Sequence, residues 1–341
     1  MKTIKFPEDE SAHDSITEWW YFNGHLKDAK GNQYSFMDCF FKADVKKADI
    51  AILKHTPLKI IHFSHSILSD IKAKKIYPII DYISKISKDT FSGPLLFINY
   101  KNNFILKGNT ERVIEKISES KYHIKTDNLD LTMTSMKRPL LENETGYVKL
   151  KEKGTYYYTL TNLKTEGTIR INGKNIKVKG KSWMDHQWAD VIYNPKTKWT
   201  WFSIQLDNNI ELVCFEYLDE DFKKYIATIS YEDGRQASAD DMVLTPTGIA
   251  WQSPVTKTRY PLSWNIEIPS KNISLEVKPL LKDQEMLFGQ INYWEGALTV
   301  KGTIDNKKVK GVGFLELAGY KKGISNINLW KHIIKKAIAK K

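Results

Sequence analysis

Three short stretches of the chain hold residue types able to move protons in an apolar setting. Glu18-Trp19-Trp20-Tyr21-Phe22-Asn23-Gly24-His25-Leu26 sets an acid and a histidine around four aromatic rings. Lys181-Ser182-Trp183-Met184-Asp185-His186-Gln187-Trp188 places Asp185 and His186 between tryptophans, and Tyr293-Trp294-Glu295-Gly296 repeats the theme. A carboxylic acid enclosed by apolar rings keeps its proton near neutral pH, because desolvation penalises the anion. Aromatic faces stabilise a developing carbocation by about 0.5–2 kcal/mol each. An enclosed acid, flat rings and a group that positions water are what adding water to an alkene requires.

Strand periodicity sorts these groups by face. Met184, His186 and Trp188 fall on one face, and Trp183, Asp185 and Gln187 on the other. Further on, Leu212, Cys214, Glu216 and Leu218 share a face, which makes Glu216 an acid on an otherwise apolar surface. Two readings of Asp185 and His186 stay open: hydrogen-bonded ties at strand ends, or a direct part in a cavity. Other chemistries lack their parts. There is no GxGxxG, P-loop, HExxH, CxxC or GxSxG motif. His62 and His65 are three residues apart on a strand-like run, so they face opposite ways and cannot chelate one ion together. No metal and no cofactor is expected.

The elements that must position these residues are strands. Trp19 to Leu26, Tyr34 to Phe41, Thr155 to Leu163, Gly167 to Ile171, Asn175 to Val178, Thr200 to Leu206, Glu211 to Leu218, Ile226 to Tyr231, Ala297 to Ile304 and Val309 to Leu317 are short runs divided by turn residues. Asn172-Gly173 is the clearest hairpin signal, since a type I′ turn needs positive φ at both central residues. This succession predicts an all-β protein, and closure into barrels removes exposed strand edges. Residues 76–86 read as a short helix or loop insertion. Turn chemistry places the domain boundary at Asn194-Pro195-Lys196-Thr197. That divides the chain into barrels over 1–193 and 194–322 and a tail over 323–341. From Ile327 the tail reads as a helix with Trp330, Ile333, Ile334, Ala337 and Ile338 on one side and lysines opposite. It either packs on a barrel or lies on an anionic membrane surface.

The 341 residues are 41% hydrophobic and 27% charged, a globular profile. The net charge of +12 is carried by scattered lysines, with arginine only at 112, 138, 170, 235 and 259. Nucleic-acid recognition favours the bidentate fork of arginine, so a solvated lysine surface is expected and a nucleic-acid partner is not. Cys39 and Cys214 have no metal spacing and read as buried thiols. The N-terminal stretch carries no apolar leader, and no run reaches the roughly 18 apolar residues of a spanning helix. A cytoplasmic protein is expected, with contact at the inner membrane face through the tail as one option.

Taken together in order, several motifs make the chain resemble a known family. They are Glu18 to Leu26, His65 to Asp70, Tyr156-Tyr157-Tyr158-Thr159, Gly180 to Trp188, Tyr260-Pro261, Tyr293 to Gly296 and Leu315 to Tyr320. The chain resembles the AttH-like and carotenoid 1,2-hydratase lipocalin-like family, which also holds fungal kievitone hydratase. The resemblance implies two consecutive lipocalin-like antiparallel β-barrels. It also implies hydration, or a related cyclisation, of a hydrophobic, unsaturated, isoprenoid-like small molecule without a cofactor. His186 and Trp188 match the family's Asp-His-x-Trp motif. Glu216 stands nearest the family's acid, and Cys214 stands where the family has a tyrosine. On this reading Glu216 or Asp185 is the general acid, His186 orients or deprotonates water, and Trp188 faces the cation. Glu18, Trp20, Phe22, Tyr157, Trp183, Trp201, Trp294 and Glu295 are expected to line the ligand site. The alternative from another class is a non-catalytic carrier of a hydrophobic ligand.

Overall fold

A computed structural model describes residues 3–48, 57–102, 111–191, 197–288 and 291–320. The tail helix and most of the expected domain boundary fall outside these residues. The described chain is almost entirely antiparallel strand with three short 3-10 turns.

The first sheet holds β1 (Thr17–Asp28), β2 (Gln33–Asp44), β3 (Ile60–Asp70), β4 (Lys75–Asp81), β5 (Ser84–Ile86), β6 (Phe97–Asn102) and β7 (Glu111–Ser118). It continues with β8 (Lys121–Lys125), β9 (Leu129–Ser135), β10 (Leu140–Leu141), β11 (Tyr147–Leu150), β12 (Lys153–Ile171) and β13 (Lys174–Ala189). Its order is β4-β3-β2-β1-β13-β12-β9-β8-β7-β6-β5, and β5 returns against β3, so the sheet is a nearly closed barrel. The second sheet holds β14 (Lys198–Leu206), β15 (Glu211–Asp219), β16 (Phe222–Ser230), β17 (Gln236–Ala239) and β18 (Val243–Thr247). Short β19 (Trp251–Gln252) and β20 (Arg259–Tyr260) pair apart from it. It is completed by β21 (Ser263–Ile268), β22 (Ile273–Pro279), β23 (Glu285–Phe288), β24 (Ile291–Ile304) and β25 (Lys307–Ala318). In the order β17-β16-β15-β14-β25-β24-β22-β21-β18, it curls as a half-barrel. The all-β, lipocalin-like expectation holds.

Two compact units result. The first contains residues 1–192 with 205–213 and 227–238, and the second contains 193–204, 214–226 and 239–341.

Residues 76–86 form β4 and β5, not a helix or loop. β4 is a terminal strand of the sheet, which is where Pro78 is tolerated, because its missing N–H removes no ladder bond. The long β12–β13 hairpin turns at Asn172 and Gly173, with φ of 51° and 78°, as the Asn-Gly dipeptide predicts. What reads as two strands, Thr155 to Leu163 and Gly167 to Ile171, is one strand whose register shifts between Leu160 and Leu163.

The barrel core explains the alternation. Trp20, Phe22 and Leu26 of β1, Phe36 and Phe40 of β2, and Met184 and Trp188 of β13 join Tyr158 and Leu160 of β12 in one buried cluster. Beyond the bulge the inward parity of β12 switches, so Leu163, Ile169 and Ile171 enter the same cluster. Thr161 and Asn162 are released to Glu211, which accepts from Asn162 Nδ2 at 2.9 Å.

Candidate active site

The inner face of β1, β2 and β13 carries an unusual polar group. Register pairs Glu18 with Trp188 and Trp20 with His186 on neighbouring strands, and Lys42 of β2 lies opposite Glu18. The fourth member arrives from outside the sheet. The segment preceding β1 is anchored by Ile4 in the barrel core and by Trp20 Nε1, which donates to the Glu10 carbonyl at 2.9 Å. Glu10 itself accepts from Lys116 Nζ at 2.6 Å and from the Tyr122 hydroxyl at 2.7 Å. That anchoring delivers His13 to Glu18 and Asp9 to His13.

Glu18 is fully buried and saturated with donors. Its Oε1 faces His13 Nδ1 at 2.7 Å and His186 Nε2 at 3.0 Å. Its Oε2 accepts from Lys42 Nζ at 2.9 Å, and the His13 backbone N–H points at both oxygens. His13 Nε2 reaches Asp9 Oδ1 at 3.1 Å, and Lys42 also donates to the His13 carbonyl. Burial pushes the Glu18 carboxyl up. The bonds from His13 and His186 and the charge on Lys42 outweigh burial and hold it well below the usual carboxylate range. For His186, burial lowers the proton affinity against the pull of Glu18.

Flat rings enclose these imidazoles. His13 stacks on Trp188 at 3.9 Å with an interplanar angle of 2°. Trp20 stacks on His186 at 4.7 Å, Tyr158 meets it edge-on at 5.4 Å, and Tyr156 stacks on Trp188 at 5.3 Å. His62 of β3 stacks on Phe40 at 5.6 Å, and burial and then Lys42 hold it neutral by lowering its pKa to about 4. The arrangement is an ionised carboxylate that fixes two imidazoles, one enclosed and one nearer the rim, among tryptophan faces. It can store and relay a proton.

His13, Glu18 and His186 also offer ligand atoms within 4.8 Å of one another, close enough to share a metal ion. In the structure they bond to each other, and the Lys42 ammonium on the same carboxylate opposes a second cation there.

The expected site residues divide into three groups. His186, Trp188, Glu18, Trp20 and Phe22 meet inside the first barrel. Asp185 points to the other face of β13. Its oxygens accept from Tyr157 Oη at 2.9 Å, Thr159 Oγ1 at 2.7 Å and Trp183 Nε1 at 2.8 Å. Thus Tyr157 and Trp183 serve Asp185 rather than the inner cluster. Burial dominates over these neutral donors and pushes the Asp185 pKa up to about 7. Nearby Glu142 is pushed up to about 8 by burial and by the proximity of Asp185. Glu216, Trp201, Trp294 and Glu295 belong to the second unit. Glu216 Oε2 accepts from Thr200 Oγ1 at 2.9 Å, and Trp294 Nε1 donates to the Lys282 carbonyl at 2.7 Å. Trp201 and Glu295 are buried.

Sequence reasoning did not assign roles to His13, Asp9 or Lys42. Lys42 was within reach of the face argument, because Phe36, Asp38, Phe40 and Lys42 alternate along β2 as charges among aromatics. Nothing in the spacing ties residues 9 and 13 to 186.

The chain is 26% identical over 214 residues to kievitone hydratase of Fusarium solani subsp. phaseoli, covering 60% of this chain and 61% of that protein. It is 24% identical over 201 residues to dehydratase asqC of Emericella nidulans, covering 55% and 57%. The chain thus spans about three fifths of the length of these curated relatives. A crystal structure from Nitrosomonas europaea bearing the AttH name shares the fold, with a TM-score of 0.74 and 23% identity over 94% of this chain and 98% of that one. The AttH-like family model matches residues 1–320, and the chain belongs to the AttH-like family.

Proposed function

We propose that the chain is a hydro-lyase that adds water to, or removes it from, a hydrophobic unsaturated molecule by acid–base chemistry in the first barrel. The observation that carries this reading is the Glu18 carboxylate clamped between two imidazoles and stacked tryptophans in the barrel. Its support from relatives is that the matched proteins are named a hydratase and a dehydratase.

Glu18 orients His186 and His13 and balances whichever imidazole holds the proton. In hydration, that proton passes to one alkene carbon and leaves a cation on the other. Trp188 and Trp20, stacked against the two imidazoles, stand beside that charge. Water attacks the cation and returns its extra proton to the imidazole–carboxylate group, so the protein ends as it began. Dehydration is the same path reversed, with the hydroxyl leaving as water. No cofactor is needed for this balance. A second reading rests on Asp185, enclosed by Tyr157, Thr159 and Trp183 and pushed up to about 7 by burial, which lets it donate a proton in its own right. The two readings differ in which acid must be kept.

The test is incubation with a panel of hydrophobic alkenes, kievitone among them, in oxygen-18 water, followed by mass spectrometry of the extracted products. A labelled alcohol formed over many turnovers is expected. Stoichiometric recovery of unchanged compound across the panel would replace the enzyme with a carrier.

A further inference from the structure

A second polar group shares the inner face of the first barrel. Asp38 alternates along β2 with Phe40 and Lys42. Ser64 of β3 pairs with Phe40 on one side and with Asp81 of β4 on the other. Across the barrel wall Tyr100 of β6 pairs with Arg112 of β7. The Arg112 guanidinium donates from Nη1 to Ser64 Oγ at 3.2 Å and from Nη2 to Asp127 Oδ2 at 2.8 Å. Asp38, Asp81 and Arg112 are 1%, 0% and 3% exposed.

Five atoms of this group are unsatisfied. Among the described residues, Asp38 Oδ2, Asp81 Oδ1, Asp127 Oδ1, Tyr100 Oη and Arg112 Nε have no hydrogen-bond partner. Buried polar atoms are nearly always paired, so a guanidinium donor, three carboxyl acceptors and a phenol left open together mark the place of a group the chain does not itself supply. An anion is disfavoured there because Asp38, Asp81 and Asp127 outnumber the one guanidinium. A cation is disfavoured because Arg112 is already in place and offers only donors. Burial also pushes Asp38 up to about 6 and raises Asp81, which weakens any negative field. A hydroxyl donates and accepts at once, and fits both kinds of atom.

We propose that Asp38, Asp81 and Arg112 form a subsite that holds a neutral hydroxyl of the substrate, away from its reacting double bond. The inference rests on the hydro-lyase reading for the word substrate, and on this geometry for the rest. Aromatic rings connect the two polar groups: Tyr100 lies 4.6 Å from Phe40, Phe40 6.3 Å from Trp20, and Trp20 4.7 Å from His186. This run of rings joins the hydroxyl subsite to His186, so a substrate anchored by its hydroxyl at one end has its alkene directed toward the other.

Ligand-observed NMR on the full chain tests this with cyclohexanol, methylcyclohexane, cyclohexanecarboxylate and cyclohexylammonium as probes. Cyclohexanol is expected to bind at least about tenfold tighter than methylcyclohexane, the value of one good hydrogen bond to a buried group. That preference should vanish in Asp38→Leu and in Arg112→Met. Circular dichroism checks that each variant folds, and Asp38→Leu alone decides if Arg112→Met does not. Equal binding of alcohol and hydrocarbon, tighter binding of either ion, or an unchanged preference in Asp38→Leu overturns the subsite. Hydration without any alcohol preference sinks the subsite alone, and alcohol preference without hydration sinks the hydro-lyase reading alone.

Discussion

Glu18 and Asp185 are buried carboxyls on adjacent, paired strands, yet the structure gives them opposite charge states. Glu18 faces the barrel interior and is bonded by two imidazoles and an ammonium. Asp185 faces the other side of the same sheet and is bonded by a phenol, an alcohol and an indole. Both pay desolvation, so burial alone does not decide ionisation. The donors decide: groups that are or can become cations keep Glu18 as an anion, whereas neutral donors leave Asp185 holding its proton up to about pH 7.

The largest way to break this contrast is Glu18→Gln. It strands Lys42 and two imidazoles without their anion, and should lower unfolding free energy by about 3–5 kcal/mol in a denaturant titration. Asp185→Asn exchanges one neutral polar group for another, and at pH 6 should cost about 1 kcal/mol. Equal losses for the two would mean that Glu18 is not an anion in a cation cage.

The pH dependence sharpens the same point. Glu18 is depressed, so its share of stability is present above the ordinary pKa of about 4.5 and is lost as pH falls below it. Asp185 and Glu142 are raised, so the folded state binds protons that the unfolded state has released. Their share is full below about pH 4 and declines as pH rises toward about 7 and about 8. The double variant Asp185→Asn, Glu142→Gln should flatten that decline in a pH series of denaturant titrations. A decline that survives in the double variant would place its origin elsewhere.

Smaller effects probe the scaffold. Asn162→Ala removes a donor from buried Glu211 at the β12 bulge, and should cost about 1–3 kcal/mol by thermal or denaturant unfolding. Gly173→Ala forces a side chain onto a φ of 78° in the β12–β13 turn and should cost about 1–2 kcal/mol.

Alternation on β13 was enough to put His186 and Trp188 on one face and Asp185 on the other, because that strand is regular through this stretch. The same argument fails along β12, where the register shift between Leu160 and Leu163 reverses which parity points inward. Nothing in the local pattern announces this bulge, at which Asn162 donates to Glu211. Residues 76–86, expected as a short helix or loop insertion, form β4 and β5 instead, and Pro78 fits there because β4 ends the sheet. His13 and Asp9 were illegible as site residues because His13 reaches Glu18, and Asp9 reaches His13, through the segment before β1, a contact set by tertiary packing. His65 turns out buried and held neutral by desolvation, its pKa lowered to about 3, on the face opposite His62, as three-residue spacing requires.

The most direct test of the account is turnover per folded molecule for wild type, Glu18→Gln and Asp185→Asn on one alkene that the wild-type protein hydrates. If the inner carboxylate and its imidazoles move the proton, Glu18→Gln should fall by about 10²–10⁴ while Asp185→Asn stays close to wild type. Loss of turnover in Asp185→Asn with Glu18→Gln intact would contradict the account and move the chemistry to the other face of β13.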